Sequence, residues 1–446
     1  MSINAPLYKA LAQHRQTELT SMHMPGHKGR ADCLAPLGEM LGFDVTELPG
    51  TGSLFDAEGP TLLAEQAATR AFGSAGTFFS AGGCTLCIQA MLRLAAPSGG
   101  KIIMGRTIHR SAIHAMALLD LTPIWVWNRQ DAGRGLAGRI APQDVAAALR
   151  ENPDAKAVYL TSPDYYGVMS DLRGICEQAR SYGVPVLVDS AHGAHLRFLD
   201  HSLHPLAQGA AMCADSAHKT LPVLTGGAFL QIGDARYLPD VRQAMALFGS
   251  TSPSFPILLS LDLCRAWLEE KGEAALAYTA RQAASLNDLA KRVGFLLPEG
   301  PCDPLHLTWN TAHAGRSGEW VARWLRRFGI EVEYADKAFL ILLLSPFNTQ
   351  ADMDRLQKAL ESLPESAPFQ PSGLLPAPPP VVLTPRQALL APQERLSVRR
   401  AAGRIAGQAA CPCPPAIPVV MPGERITPEC ASLLEQSGIV EIQVVK

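Results

Sequence analysis

The stretch "KAVYLTSPDYYGVMSDLRGICEQARSYGVPVLVDS", residues 156–190, decides the fold. Its two ends, KAVYLTSP and VPVLVDS, are short continuous apolar runs, which suit strands covered on both faces, where alternation of apolar and polar residues is not required. Between them DLRGICEQARSYG reads as a helix. Strand, helix and strand in that succession form a βαβ unit, the building block of a parallel sheet.

The same alternation extends outward from about residue 60 to 235. PTLLAEQAATRAF (60–72) and CTLCIQAMLRLAA (84–96) read as helices, KIIMG (101–105) as a strand, SAIHAMALLD (111–120) as a helix, PIWVW (123–127) as a strand and PQDVAAALREN (142–152) as a helix. The fold class is therefore α/β with a mostly parallel sheet. Its active groups are expected at the carboxyl ends of the strands.

Residues 1–60 form an N-terminal arm and loop ahead of a major domain over 61–295. HLTWNT, EWVARWLRRFG, AFLILLLSP and ADMDRLQKALESL then read as strand, helix, strand and helix of a smaller α+β domain, 296–366. The proline-rich passage APFQPSGLLPAPPPVVLTP cannot hold a regular helix and reads as a linker over 367–385. Residues 386–446 form a C-terminal segment, too small to be comfortably stable alone.

Composition narrows the partners. With 39 Lys+Arg against 41 Asp+Glu the formal charge is −2, and no basic run tracks a phosphate backbone, so nucleic acid is not an expected partner. The N-terminus lacks a basic-then-apolar signal pattern and no apolar segment approaches membrane-spanning length, which leads us to expect a cytoplasmic protein without a membrane partner. Ten scattered cysteines read as reduced thiols, and the Cys411-Pro412-Cys413 pair has no second pair at matching spacing for a metal site.

Three groups of chemically active residues fall at expected strand ends. VLVDSAHGAH puts Asp189 at the end of an apolar strand with Ala191, His192 and His195 after it. GRTIHRSAIH puts His109 in the turn after KIIMG, and CADSAHKT brings Ser216, His218 and Lys219 together. A lysine among small and apolar residues is expected to be buried, with an amine made nucleophilic by desolvation. Pyridoxal phosphate needs such a lysine, a carboxylate for its pyridinium nitrogen and donors for its phosphate. Asp189 supplies the carboxylate. SAGGCTLC (80–87) offers glycines for close backbone approach, and Cys84 and Thr85 open a helix whose free N–H groups favour an anion.

On these residues, and on MPGHKGR, GRTIHRSAIHA, LTSPDYYGVMSDL, VLVDSAHGAHLRF, DSAHKTLPVLTGG, STSPSF and AAGRIAGQAACPCPPAIPVVMPGERIT, the chain resembles the ornithine/lysine/arginine decarboxylase family, in its shorter, wingless branch. The resemblance implies a pyridoxal-phosphate fold of the aspartate-aminotransferase type with a C-terminal decarboxylase-type segment. It implies that Lys219 carries the cofactor, Asp189 pairs with the pyridinium nitrogen and His109 stacks on the ring, with Ala191 and His192 behind it. Gly83, Cys84, Thr85, Ser216 and His218 then line the phosphate. The family dimerises with active sites at the subunit boundary, so Thr251 and Ser252 are expected to reach a neighbour's cofactor.

The implied activity is α-decarboxylation of arginine, lysine or ornithine, a small-molecule substrate, with Lys219 or His218 returning the proton. Asp44, Glu47, Asp56 and Glu58 in FDVTELPGTGSLFDAEGP are candidates for the substrate's distal charge, Asp56 and Glu58 first among them. The chain departs from the family at Gly82-Gly83-Cys84-Thr85, Pro163-Asp164-Tyr165 and Pro412-Cys413-Pro414-Pro415-Ala416. Alternatives are an aminotransferase or another lyase on a non-basic substrate, a catalytically silent binding protein, or a metal site of His192, His195, His201 and His204 sharing a helix face.

Overall fold

The apolar runs pair into one seven-strand sheet. In this computed structural model, which describes residues 4–17, 19–128, 136, 138–364, 378–411 and 418–446, its strands are β1 (Gly76–Ser80), β2 (Gly100–Gly105), β3 (Leu121–Val126), β4 (Ala157–Thr161), β5 (Val186–Asp189), β6 (Met212–Asp215) and β7 (Ala228–Ile232). The strand order is β1-β7-β6-β5-β4-β2-β3. The helices up to the last strand are α1 (Pro6–Gln16), α2 (Gly59–Phe72), α3 (Gly83–Ala95), α4 (Arg110–Leu119), α5 (Pro142–Glu151), α6 (Leu172–Ser181) and α7 (Ala217–Thr220).

Strand β2 runs parallel to β3 and β4, and β5 parallel to β6. Strand β7 is antiparallel to both β6 and β1. The reason is local: the chain between β6 and β7 carries only the single-turn α7, too short to cover the sheet and return the chain in the parallel sense. The helix of the opening stretch forms as its spacing dictates. Leu172, Ile175, Cys176 and Ala179 are buried along one face of α6, and the Asp171 carboxylate caps its start by accepting from Gly174 N at 3.0 Å.

The chain divides into two compact units, one of Met1–Leu94 with Leu187–Leu276 and one of Ala95–Val186 with Ala277–Lys446. In the first, the α1 start is held by a remote buried carboxylate: Asp262 Oδ2 accepts from Leu7 N at 2.9 Å. Arg265 in turn binds Asp262 Oδ1 and the Asn4 carbonyl, both at 2.6 Å. Helix α1 has no capping side chain of its own, so this pair satisfies a donor that the N-terminal turn leaves open.

In the second unit, β8 (His306–Asn310), β9 (Tyr334–Ala335) and β10 (Phe339–Leu343) make an antiparallel sheet in the order β8-β10-β9. Trp309, Leu340, Leu325 and Leu356 anchor the core between it and the helices Gly318–Arg326 and Gln350–Glu361. A two-strand ladder of β11 (Gln393–Ser397) and β12 (Glu441–Val445) belongs to the C-terminal segment. Residues 365–377, and so the expected linker up to residue 377, lie outside the described residues. Its last residue, Pro385, already starts a helix capped by Thr384. Pro412 to Ile417, and with them the whole Pro-Cys-Pro-Pro-Ala departure, also lie outside.

The C-terminal segment is tied into this unit by a buried ion pair. Arg106, just after β2, donates to Glu424 Oε1 at 2.6 Å and Oε2 at 2.7 Å, and its guanidinium lies against the Trp125 and Trp127 rings. The departure at Asp164 also has a structural account. Its Oδ1 accepts from Tyr166 N and Val168 N, both at 2.9 Å, closing the loop after β4. Burial pushes this carboxyl up to about 6 despite those bonds.

Two predictions follow from these buried charges. Glu424→Gln or Arg106→Met alone should cost about 3–5 kcal/mol in urea unfolding, because each strands a buried polar or charged partner. The pair Arg106→Met with Glu424→Leu should cost less than the sum of the single changes, and strict additivity would contradict the pairing. A carboxyl raised on folding stabilises only below its unfolded pKa and loses that contribution as pH rises through about 6. Asp164→Asn keeps the acceptor oxygen and removes the charge, so it should raise the melting temperature clearly at pH about 8 and by little at pH about 4; an equal shift at both would contradict the assignment.

Candidate active site

Four segments of the first unit meet where β5 and β6 end. Asp189 closes β5, is 1% exposed, and accepts from Ala191 N at 3.2 Å. This bond fixes the turn that delivers His192, whose Nε2 lies 3.0 Å from Lys219 Nζ.

Helix α7 carries Lys219 and is joined to β6 by the buried Ser216. His218 Nδ1 lies 3.1 Å from the Gly227 carbonyl and 3.4 Å from Ser216 Oγ. A carbonyl only accepts, so Nδ1 carries a proton and Nε2 is the nitrogen that can exchange one. The Gly227 carbonyl also accepts from His218 N at 3.3 Å. Gly226 accepts from Gly83 N at 2.8 Å, which ties the loop before β7 to the start of α3.

That start is built for close approach. Gly83 has φ +67°, a conformation strained for any other residue, and Ser80 Oγ donates to its carbonyl at 3.0 Å while accepting from Gly82 N at 3.1 Å. Cys84 is buried and Thr85 exposed in the first turn of α3. Burial first, then the Asp189 carboxylate and Cys87, push the Cys84 thiol well above its ordinary range, while Lys219 pulls the other way. Cys84, Asp189 and Lys219 thus act on one another electrostatically.

The expected residues are therefore brought together in part. Lys219, His192, Asp189, Ala191, Ser216, His218, Gly83, Cys84 and Thr85 all belong to the first unit. His109 belongs to the second, where its Nδ1 caps α4 by accepting from Ser111 N at 3.3 Å. Thr251, Ser252, Asp56 and Glu58 are exposed. Asp44 and Glu47 are committed within the chain, Asp44 to His27 Nε2 at 3.0 Å and Glu47 to Leu54 N at 3.1 Å.

Two expectations are corrected. Lys219 is exposed, not buried: its small neighbours pack the backbone of a single-turn helix, which leaves the long side chain at the rim with Nζ on His192. The four histidines also share no helix face. His195 lies in the short turn Ala194–Phe198 and His204 just before the turn Pro205–Gln208, so the three-residue spacing carries no helical meaning there. His192 meets Lys219, whereas His204 meets Asp215 at 2.9 Å. The sequence reading assigned no role to Gly226 and Gly227, although a Gly-Gly pair just after the lysine was a visible sign of a close turn.

The donor set suits pyridoxal phosphate. It offers an accessible lysine amine, a buried carboxylate and a helix start with a positive-φ glycine, all in one unit. Comparison with known proteins identifies the family. Residues 5–297 match the family model "Orn/Lys/Arg decarboxylase, major domain" and residues 374–436 match that of its C-terminal domain. The chain is 32% identical over 453 residues to an arginine decarboxylase of Bacillus subtilis, covering 96% of this chain and 92% of the relative. An arginine decarboxylase of Bacillus anthracis is 30% identical over 448 residues, covering 95% and 90%. The constitutive lysine decarboxylase structure from E. coli superposes with a TM-score of 0.83 at 19% identity, covering 100% of this chain and 82% of the other. The Francisella novicida lysine decarboxylase gives a TM-score of 0.85 at 19% identity, with the same coverage. With its major-domain and C-terminal patterns both present, and full-length relatives above 30% identity, the chain belongs to the Orn/Lys/Arg decarboxylase family.

Proposed function

We propose that this enzyme removes the α-carboxyl group of a basic amino acid, arginine first among the candidates, using pyridoxal phosphate held by Lys219. The observation that carries the reading is the meeting of the Lys219 amine, the His192 ring and the buried Asp189 carboxylate beside the α3 start. When bound, the cofactor supplies an electron sink for the pair left behind by departing carbon dioxide.

The chain's own residues do the rest. Asp189, buried and held by Ala191 N, would pair with the cofactor's pyridinium nitrogen. The free N–H groups of the α3 start, with Cys84, Thr85, Ser216 and His218, hold a phosphate, and Gly83 lets the backbone come close. Cys84 is a weaker donor than the hydroxyl usual at that place, so phosphate binding leans on the backbone. Lys219 or the Nε2 of His218 returns a proton to the reacting carbon. His109 enters this reading on its motif alone.

Asp56 and Glu58 have exposed carboxylates, available to a substrate cation in the site of a second copy of the chain. Thr251 and Ser252, likewise exposed, are available to the same neighbour, as a homodimer with shared sites requires. The relatives named for arginine favour a guanidinium, which a carboxylate grips with two parallel hydrogen bonds.

Borohydride reduction of the loaded enzyme should fix the cofactor on Lys219, as read by peptide mapping, and Lys219→Ala should abolish both trapping and turnover. Trapping on another lysine would overturn the assignment. Carboxyl-labelled arginine should release labelled carbon dioxide; amine exchange with a keto acid and no gas would point to an aminotransferase instead. His218→Ala should lower kcat on the order of 10²-fold or more, since it removes a proton-transfer group, and should also weaken retention of the cofactor, since the same ring lines the phosphate. In a panel of arginine, lysine, ornithine and uncharged amino acids, Asp56→Asn or Glu58→Gln should weaken kcat/KM for the basic ones by about 10- to 100-fold. Unchanged use of basic substrates by both variants would remove these acids from the substrate site.

A further inference from the structure

A second polar cluster lies in the first unit, made of residues assigned to neither cofactor nor substrate. Cys213 and Asp215, two residues apart on β6, point to the same face of the strand, and His204 lies just before the turn Pro205–Gln208. His204 Nε2 is 2.9 Å from Asp215 Oδ2 and 3.7 Å from Cys213 Sγ. The three side chains are buried, and their ligating atoms all lie within 4.8 Å of one another.

Hydrogen bonding alone leaves this cluster half satisfied. His204 Nδ1 and Asp215 Oδ1 have no hydrogen-bond partner, and neither does Gln231 Nε2 on β7. Gln231 pairs in register with Cys213 and so shares its face. A buried polar atom without a partner is uncommon, so the unmet Asp215 Oδ1 calls for an explanation.

We propose that His204, Cys213 and Asp215 bind one divalent transition-metal ion of the zinc class. Imidazole nitrogen, thiolate and carboxylate are the donor types such ions take. With both Asp215 oxygens bound, the trio supplies four donor atoms, and the unmet Oδ1 acquires a partner. The charges also balance: a thiolate, a carboxylate and a neutral imidazole cancel a dication, so the buried site carries no net charge. Loading replaces the hydrogen bond between His204 and Asp215 and releases the Cys213 thiol proton to solvent, so affinity falls as pH is lowered.

The ion's role is structural. Strand β6 ends at Asp215, and Ser216 and Lys219 follow at once, so an ion on Cys213 and Asp215 braces the strand from which the lysine helix starts. The same strand face meets β7 through Gln231.

The test uses full-length protein carrying no histidine tag, unfolded with chelator and refolded with zinc or cobalt(II) alone. Wild type should hold stoichiometric zinc after dialysis, show a thiolate-to-cobalt absorption band with cobalt, and melt at a higher temperature than protein refolded without metal. Cys213→Ser and His204→Gln should lose the ion and the band, and their melting should not respond to zinc. Should either variant fail to fold, the wild-type cobalt spectrum and metal-dependent melting decide alone. Wild-type protein that retains no zinc and shows no sulfur-to-cobalt band would overturn the site, as would variants that keep the ion. Borohydride trapping on Lys219, measured on the same samples, is read separately, so failure of the metal site leaves the cofactor assignment standing.

Discussion

Two backbone hydrogen bonds to the Gly226–Gly227 turn hold the candidate active site in register. Gly83 N on Gly226 O locks the α3 start, and His218 N on Gly227 O locks the lysine helix, so both depend on one short return between β6 and β7. The constraint is steric as much as electrostatic. Gly226 has φ +98°, and a Cβ on Gly227 would run into the Val223 side chain. A larger residue at either place would push the α3 start away from the helix that carries Lys219.

The same short return explains why the sheet is not parallel throughout. A connection with one helical turn cannot cross over the sheet, so β7 comes back antiparallel and seats itself between β6 and β1. That places the end of β6, the turn and the α3 start side by side. Fold and site therefore share one cause, the brevity of residues 216–227.

Buried charge is handled in different ways across the molecule. Arg106 and Glu424 complete each other through two short hydrogen bonds, an arrangement that joins parts of the chain more than 300 residues apart. Asp262 and Arg265 do the same for the N-terminal arm. Asp189 instead stays buried with its turn organised around it, Oδ1 accepting from Ala191 N. Between these extremes stand His204 and Asp215, paired on one side only.

By itself the sequence determined the α/β class, the alternation of strands and helices, and the family to which the chain belongs. These are local properties: apolar run length, the lysine beside Ser216 and His218, and the Asp189 that ends a strand are all written in neighbouring residues. Even the departure at Asp164 was visible, though not its role in closing a loop through Tyr166 and Val168. Only the tertiary structure decided the exposure of Lys219, the contact of its amine with His192, the engagement of Asp44 and Glu47 inside the chain, and the meeting of His204 with Cys213 and Asp215. Spacing along the chain sets which residues share a helix face or a strand face. Burial and partnership depend on what another segment brings to that face, and no local pattern encodes that.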